Sequence, residues 1–117
     1  MSIQIKRAYD PPDPGDGFRI LVDRIWPRGL KKEEAKIDLW LKDAAPSTEL
    51  RKWFDHQPER WEGFQEKYLA ELQARPEVLE PLRETLRREK NATLVFAAKD
   101  AEHNNAVVLR EYLARGH

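Results

Sequence analysis

The chain begins with an alternating pattern of apolar and polar residues that is typical of a β-strand. In SIQIKRAYD, Ile3 and Ile5 fall on one face while Gln4 and Lys6 fall on the other, which predicts a strand with one well-buried face. The next stretch, PPDPGDG at residues 11–17, contains three prolines and two glycines, which interrupt any regular element. A loop is therefore predicted after the first strand.

Two later stretches contain continuous apolar runs instead of alternating ones. They are FRILVD at residues 18–23 and NATLVFAAKD at residues 91–100, and both predict strands that are buried on their two faces. Pro27 and Gly29 end the first of these strands. Strands of this kind are typical of the interior of a parallel sheet.

Between and after these strands, apolar residues recur at helical spacing and predict five helices. The clearest helix has an aromatic-rich stripe of Trp61, Phe64 and Tyr68 on its inner face. In the helix that follows it, Pro81 removes an interior hydrogen bond, so a kink or a later start of the helix is expected. The predicted helices cover residues 31–44, 45–56 and 57–74, a stretch that opens at Pro76, and residues 101–114.

The order of the elements is strand, strand, several helices, strand and helix. Buried strands separated by helices favour an α/β fold with a mostly parallel sheet of about three strands, packed by about five helices. The length, 117 residues, suits a single domain. About ten residues join the first two strands, which is short for a parallel crossover, so an antiparallel pair with a long loop is the alternative.

Composition narrows the classes of function. The 21 basic and 21 acidic residues cancel, so no overall field favours nucleic acid or an anionic membrane surface. The absence of cysteine excludes disulfides, thiolate zinc sites and cysteine nucleophiles. There is no signal-peptide run and no stretch of about 18 apolar residues, so a soluble, cytoplasmic protein is expected. A local basic patch is still open to Lys6, Arg7, Arg24, Arg28, Lys31 and Lys32.

Polar side chains cluster directly after the second and third predicted strands. Ligands of open α/β sheets bind beyond the carboxyl ends of the strands. If the two strands run parallel and lie close together, their clusters share one rim. The first cluster contains Asp23, Arg24, Trp26 and Arg28, and the second contains Lys99, Asp100, His103, Asn104 and Asn105.

The cluster after the second strand suits an anion. Arg24 and Arg28 could hold a phosphate or carboxylate through paired hydrogen bonds, with Trp26 as a planar surface for stacking. The alternative is that Asp23 pairs with one of the arginines to close the sheet edge, and that the tryptophan packs into the core.

The cluster after the third strand suits proton transfer. His103 is the preferred proton carrier because the usual pKa of histidine, about 6.5, lies nearest neutrality. Lys99 is the second choice, Asp100 would orient the substrate, and Asn104 and Asn105 would bind it through hydrogen bonds. The alternative is that Asp100 only caps the last helix and that the lysine is solvated.

A third group of candidates lies on the predicted helix 45–56, where Ser47 and Arg51 are four residues apart on one face. Arg51 would add a positive charge to the site. Ser47 is a candidate ligand-binding residue, but it also suits a helix cap, and no base lies next to it in the sequence. The histidines are scattered, and the last, His117, is terminal and expected to be disordered. No metal-ligand spacing and neither GxxxxGK[ST] nor GxGxxG occurs, so no metal or other cofactor is predicted.

Several motifs resemble the YeaO-like branch of the domain-of-unknown-function 488 family. They are VDRIWPRGL, LKDAAPSTELRKWF, FQEKYLAEL and LVFAAKDAEHNNAVVLREYL, and the similarity runs from IKRAYD to LREYL. The resemblance implies a small, single, Rossmann-like α/β domain and no established reaction. A wider branch has a cysteine and a CHR-like motif after the corresponding last strand. This chain reads DAEHNNA there, so a thiol-based mechanism does not carry over.

We therefore expect a binding site for a small anionic molecule at the carboxyl ends of the strands. In an enzymatic version, His103 or Lys99 would move a proton. The alternative is a non-enzymatic binding module for nucleic acid or a protein partner, of which neutral net charge disfavours nucleic acid. The pattern specifies no oligomeric state.

Overall fold

A computed structural model of the chain describes residues 2–115, and His117, with its expected disorder, lies outside this range. The described part contains a four-stranded sheet in which every neighbouring pair is parallel, in the order β1-β4-β2-β3. This confirms the predicted α/β class, with one strand more than expected. The strands are β1 (Ser2–Arg7), β2 (Phe18–Leu21), β3 (Leu39–Trp40) and β4 (Asn91–Phe96).

The last strand in the chain, β4, lies between the first two strands. Ile5 and Ile20 flank Leu94 on its two sides, so β1 and β2 are parallel to each other without touching. The antiparallel alternative for the first two strands is therefore wrong. Gly17 permits this arrangement, because a Cβ there would lie 2.4 Å from the carbonyl oxygen of Asn91 and the backbone has a φ of 67°.

The main hydrophobic core lies on one face of the sheet. Ile20 and Val22 of the β2 segment, with Leu94 and Phe96 of β4, pack there against four of the helices. Within the aromatic stripe, Phe64 and Tyr68 are buried in this core. The described helices are α1 (Lys32–Ala35), α2 (Thr48–Phe54), α3 (Trp61–Ala74), α4 (Glu80–Arg88) and α5 (Asn105–Ala114). No helix among residues 2–115 is long and apolar enough to cross a bilayer.

The opposite face of the sheet is covered by irregular chain. Leu21 and Val95 point to this side, where Trp26, Ile37 and Trp40 pack against them. The helix predicted over residues 31–44 is wrong for most of that stretch. Only one turn forms, because the chain enters the left-handed region at Lys36 with a φ of 49°. Residues 39 and 40 then alternate between the two faces as a short strand, β3.

Two helices start later than the apolar pattern alone indicates. Pro81 lies in the first turn of α4, where it costs no hydrogen bond, and a 3-10 turn at Pro76–Leu79 precedes it; the expected later start is confirmed. The final helix starts at residue 105 instead of 101. Its N-cap is Asn104, whose side-chain oxygen accepts the N–H of Val107, so the expectation that Asp100 caps this helix is wrong.

A buried ion pair holds the irregular chain that covers the second face of the sheet. Nη1 of Arg19 donates to Oδ2 of Asp16 at 2.6 Å, and the two side chains are only 4% and 6% exposed. Lys6 donates to the same carboxylate at 3.2 Å, and Arg19 also donates to the carbonyl of Ala35 at the end of α1. Burial alone would raise the pKa of Asp16, but hydrogen bonds from Asp13 N–H, Lys6 and Arg19 outweigh it, and the pKa lies below its usual value.

Asp16→Asn should lower the free energy of unfolding by about 3 kcal/mol near neutral pH, because it leaves the buried charge of Arg19 without its anionic partner. Folding lowers the pKa of Asp16, so its contribution is present above the pKa of the unfolded chain and is lost as pH falls through the folded value. Urea denaturation at a series of pH values measures both effects.

The matched control is Asp10→Asn, at an exposed position that precedes the same loop. It should change the free energy of unfolding by less than about 0.5 kcal/mol. Equal losses in the two variants would show that the ion pair does not stabilise the fold.

Candidate functional site

The ends of β2 and β4 meet at one edge of the sheet and are joined by a single carboxylate. Asp23 follows β2, and its Oδ2 accepts the backbone N–H of Ala97 beyond β4 at 2.8 Å. Its Oδ1 accepts Nδ2 of Asn105, in the first turn of α5, at 3.1 Å. The same Nδ2 donates to the carbonyl of Val22 at 2.7 Å. One side chain thus connects two strand ends and a helix.

A cleft of about 110 Å³ opens beside this connection. Its inner part is buried or half-buried, with Asp23 and Asn105 next to the aromatic rings of Phe54 and Phe64. Its mouth is formed by exposed side chains, including Arg51. The lining residues are Asp23, Arg24, Ile25, Ala45, Pro46, Arg51, Phe54, His56, Phe64, Ala98, His103, Asn104 and Asn105.

Asp23 is held in an environment that disfavours its charge. Burial raises the pKa of its carboxyl group above the usual value. The N–H of Ala97, the amide of Asn105 and the positive charge of Arg51 act in the opposite direction without cancelling the effect of burial. The carboxylate therefore gains from any further hydrogen-bond donor that enters the cleft.

The two candidate arginines differ in how far the fold already uses them. Arg24 donates from Nε to the carbonyl of Pro46 at 3.1 Å and from Nη2 to that of Ala45 at 3.2 Å, so its guanidinium holds the segment that leads into α2. The guanidinium of Arg51 makes no hydrogen bond to any residue from 2 to 115, and the side chain is exposed. Arg24 is therefore a fixed part of the cleft lining, whereas the guanidinium of Arg51 is free to form hydrogen bonds with a ligand.

Ser47 lies outside the cleft and acts as the N-cap of α2. Its Oγ accepts the N–H of Leu50 at 3.1 Å and donates to Oε2 of Glu71 at 2.5 Å. Its backbone N–H donates to Oε1 of the same glutamate at 2.9 Å. This serine ties the start of α2 to α3, and it lines a neighbouring cavity of about 240 Å³.

Asp100 and His103 form a pair at the edge of the cleft. Oδ1 of Asp100 accepts the N–H groups of Glu102 and His103, while Oδ2 lies 2.8 Å from Nδ1 of the imidazole. The ring also packs edge-on against Trp61, with centroids 5.1 Å apart. The N–H of Glu102 and then the imidazole lower the pKa of Asp100. This arrangement fixes the ring through Nδ1 and leaves Nε2 for a ligand.

Besides Ser47 and Asp100, three of the predicted site residues do not line the cleft, and a fourth lines it but is already hydrogen-bonded within the fold. Trp26 packs edge-on against Trp40 at 5.5 Å on the second face of the sheet, and its Nε1 donates to the carbonyl of Leu30. Arg28 and Lys99 are exposed and do not line the cleft. Asn104 lines it, and the fold fixes its amide, since Oδ1 caps α5 and one hydrogen of Nδ2 is donated to the carbonyl of Asp100.

Sequence reasoning missed His56 and the aromatic wall of the cleft. Asp55 and His56 both have left-handed backbone, with φ of 46° and 54°, and this turn brings the imidazole to 6.4 Å from the ring of Phe54. Aspartate and histidine tolerate this conformation better than most residues. The Asp-His pair at the end of the predicted helix 45–56 was therefore the available signal. Within residues 2–115, no group of three or more His, Cys, Asp or Glu side chains is placed to hold a metal.

His103→Ala should raise the pKa of Asp100 towards its usual value, because the imidazole is one of the groups that lower it. The rise should be partial, since the backbone N–H groups of residues 102 and 103 still donate to the carboxylate. NMR titration of the carboxyl carbon measures it. His56→Ala, which removes a cleft histidine without a bond to Asp100, should leave this pKa unchanged. The same pKa of Asp100 in the unaltered protein and in both variants would contradict its pairing with His103.

Comparisons with known proteins agree with the motifs. Residues 2–116 match the family model described as "Inactive DUF488-N3 subclade". The uncharacterized protein YeaO of Escherichia coli (strain K12) is 44% identical over 113 residues, which cover 97% of each chain. Uncharacterized proteins of Mycobacterium bovis and Mycobacterium tuberculosis are each 41% identical over 111 residues, covering 95% of this chain and 92% of theirs. No solved structure matches the chain.

The family match covers nearly the whole chain, and the relatives are aligned over nearly their full length. The resemblance inferred from the four motifs is thereby confirmed, and the chain belongs to the DUF488 family as a YeaO-like member of its inactive N3 subclade.

Proposed function

We propose that this protein binds a small anionic molecule in the cleft at the carboxyl ends of β2 and β4. The observation that carries the proposal is the convergence of Arg51, His56 and His103 on one opening. Two arginines line the cleft against a single aspartate, so the lining is net positive even with neutral histidines. Positive side chains around a concave site at strand ends are the usual setting for an anionic ligand.

The free guanidinium of Arg51 is the main anchor. Arginine offers several N–H groups in a planar fork that matches a phosphate or a carboxylate. Because the side chain is exposed and makes no hydrogen bond within residues 2–115, a ligand does not have to break an existing hydrogen bond. His103 is pre-oriented by Asp100, so it supplies a second contact with little loss of conformational entropy.

Binding without turnover is the version that the cleft favours. No serine, threonine, tyrosine or lysine is among the lining residues of the described chain, so the common hydroxyl and amine nucleophiles are missing. An enzymatic version would use His103 as the proton carrier. The description of the matching family as inactive supports the binding version.

The distribution of basic residues supports a small ligand over nucleic acid. Lys6 is paired with Asp16 on the second face of the sheet. Arg7 donates to the carbonyl of Ala98, and Arg24 is held by two carbonyls. These cations are used by the fold and are not free to contact a row of phosphates.

Arg51→Ala should weaken the binding of inorganic phosphate or pyrophosphate at least about tenfold, because a charge-assisted hydrogen bond contributes about 1.5–3 kcal/mol. His103→Ala should weaken it as well. Titration calorimetry at low ionic strength measures both, and incubation of the phosphate compound with the unaltered protein tests for turnover.

The control is Lys52→Ala, which removes a positive charge from the neighbouring exposed position of the same helix without touching the cleft. It should change the affinity less than about twofold, since exposed charges are screened. Unchanged affinity in both cleft variants, or a loss of the same size in the Lys52 variant, would overturn the proposed site. Turnover that depends on His103 would replace binding alone with the enzymatic version.

A further inference from the structure

Two polar side chains, Asp23 and Asn105, lie at the inner end of the cleft. Both have unused hydrogen-bond acceptors, and neither has a free donor. Nδ2 of Asn105 lies against two acceptors, the carbonyl of Val22 and Oδ1 of Asp23. Since only the nitrogen of the amide can donate to both, its orientation is fixed and its two hydrogens are used. The amide oxygen lies on the opposite side, and no residue from 2 to 115 donates to it.

The carboxylate of Asp23 also has unused capacity to accept hydrogen bonds. Each of its oxygens receives one hydrogen bond, from Ala97 or from Asn105, and a carboxylate oxygen can accept two. Asn104, the other amide in the lining, is held at the start of α5, where it accepts the N–H of Val107 and donates to the carbonyl of Asp100. A bare anion pushed to the inner end would therefore meet a negative charge and unused acceptors.

The mouth of the cleft has the opposite character. Arg51 and His56 are exposed, and His103 is held through Nδ1 with Nε2 uncommitted. The cleft is thus polarised along its depth, with acceptors inside and cationic or donor groups outside. Phe54 and Phe64 form an apolar wall beside the inner end.

We propose that the ligand is a small anion that carries hydroxyl or amino groups on a short carbon skeleton, with Asp23 and Asn105 as the residues that select those groups. This inference rests on the proposed function, because the anionic end would be held by Arg51 and His103 at the mouth. An apolar cavity of about 150 Å³ holds a benzene molecule, so a cleft of about 110 Å³ limits the enclosed part of the ligand to a few carbons. A three-carbon alcohol fits that space while its phosphate stays at the mouth.

The test compares two ligands of equal charge and chain length, glycerol 3-phosphate and propyl phosphate, with inorganic phosphate as the baseline. The unaltered protein should bind glycerol 3-phosphate at least about tenfold more tightly than propyl phosphate, because only the former donates hydrogen bonds to the inner carboxylate. Ethanolamine phosphate and ethyl phosphate form the second pair, for the amino version; their chain lengths are equal, and the ammonium group adds one positive charge. This comparison needs no variant, so it does not depend on whether a change at the inner end is tolerated.

Asp23→Asn should abolish the preference between the paired ligands, because the new amide presents a donor where the ligand also donates. The variant's affinity for inorganic phosphate should rise, since a negative charge has been removed near the anion. Equal binding within both ligand pairs to the unaltered protein would overturn this inference and leave the anion site standing. A preference that persists in the variant would overturn the role of Asp23. If no phosphate compound binds, the proposed function fails and this inference fails with it.

Discussion

The carboxylate of Asp23 is the constraint on which the site depends. Strands β2 and β4 are neighbours and parallel, so their hydrogen-bonding ladder ends at the same edge and leaves the N–H of Ala97 beyond it. Asp23 accepts that N–H and, through Asn105, fixes the start of α5. Together with the carbonyl of Val22, this side chain sets the orientation of the asparagine and ties the start of α5 to the ends of the strands. The cost of this arrangement is the burial of the carboxyl group, which disfavours its charged form.

The class of fold and the place of the cleft could be predicted from the sequence because both follow from local patterns. Continuous aliphatic runs at residues 20–22 and 94–96 indicate interior strands of a parallel sheet, and parallel neighbours necessarily place their carboxyl ends together. Local patterns do not determine whether a short segment forms a helix or a strand. Ile37 and Leu41 fit a helical spacing, but the chain turns at Lys36 and pairs with β2, and tertiary packing decides between the two.

The identity of the free polar groups could not be predicted, because it depends on which atoms the fold has already used. Arg24 and Asn104 belong to the motifs, yet carbonyl groups and a helix end already use part of their hydrogen-bonding capacity and fix their side chains. His56 reaches the cleft only because two left-handed residues follow α2 and that helix packs on the sheet. Such assignments require distances between segments that are far apart in the chain.

The position of β4 has a consequence for how the protein is made. The strand at the centre of the sheet, Asn91–Phe96, is the last to leave the ribosome, while its two neighbours are among the first. Strand β1 has no partner in the sheet until β4 has been synthesised, and before then β2 can pair only with the two-residue strand β3. Sequence-distant pairing of this kind slows folding, because loop closure precedes the gain from contacts. Synthesis of nearly the whole chain is therefore needed before the sheet and its cleft can exist.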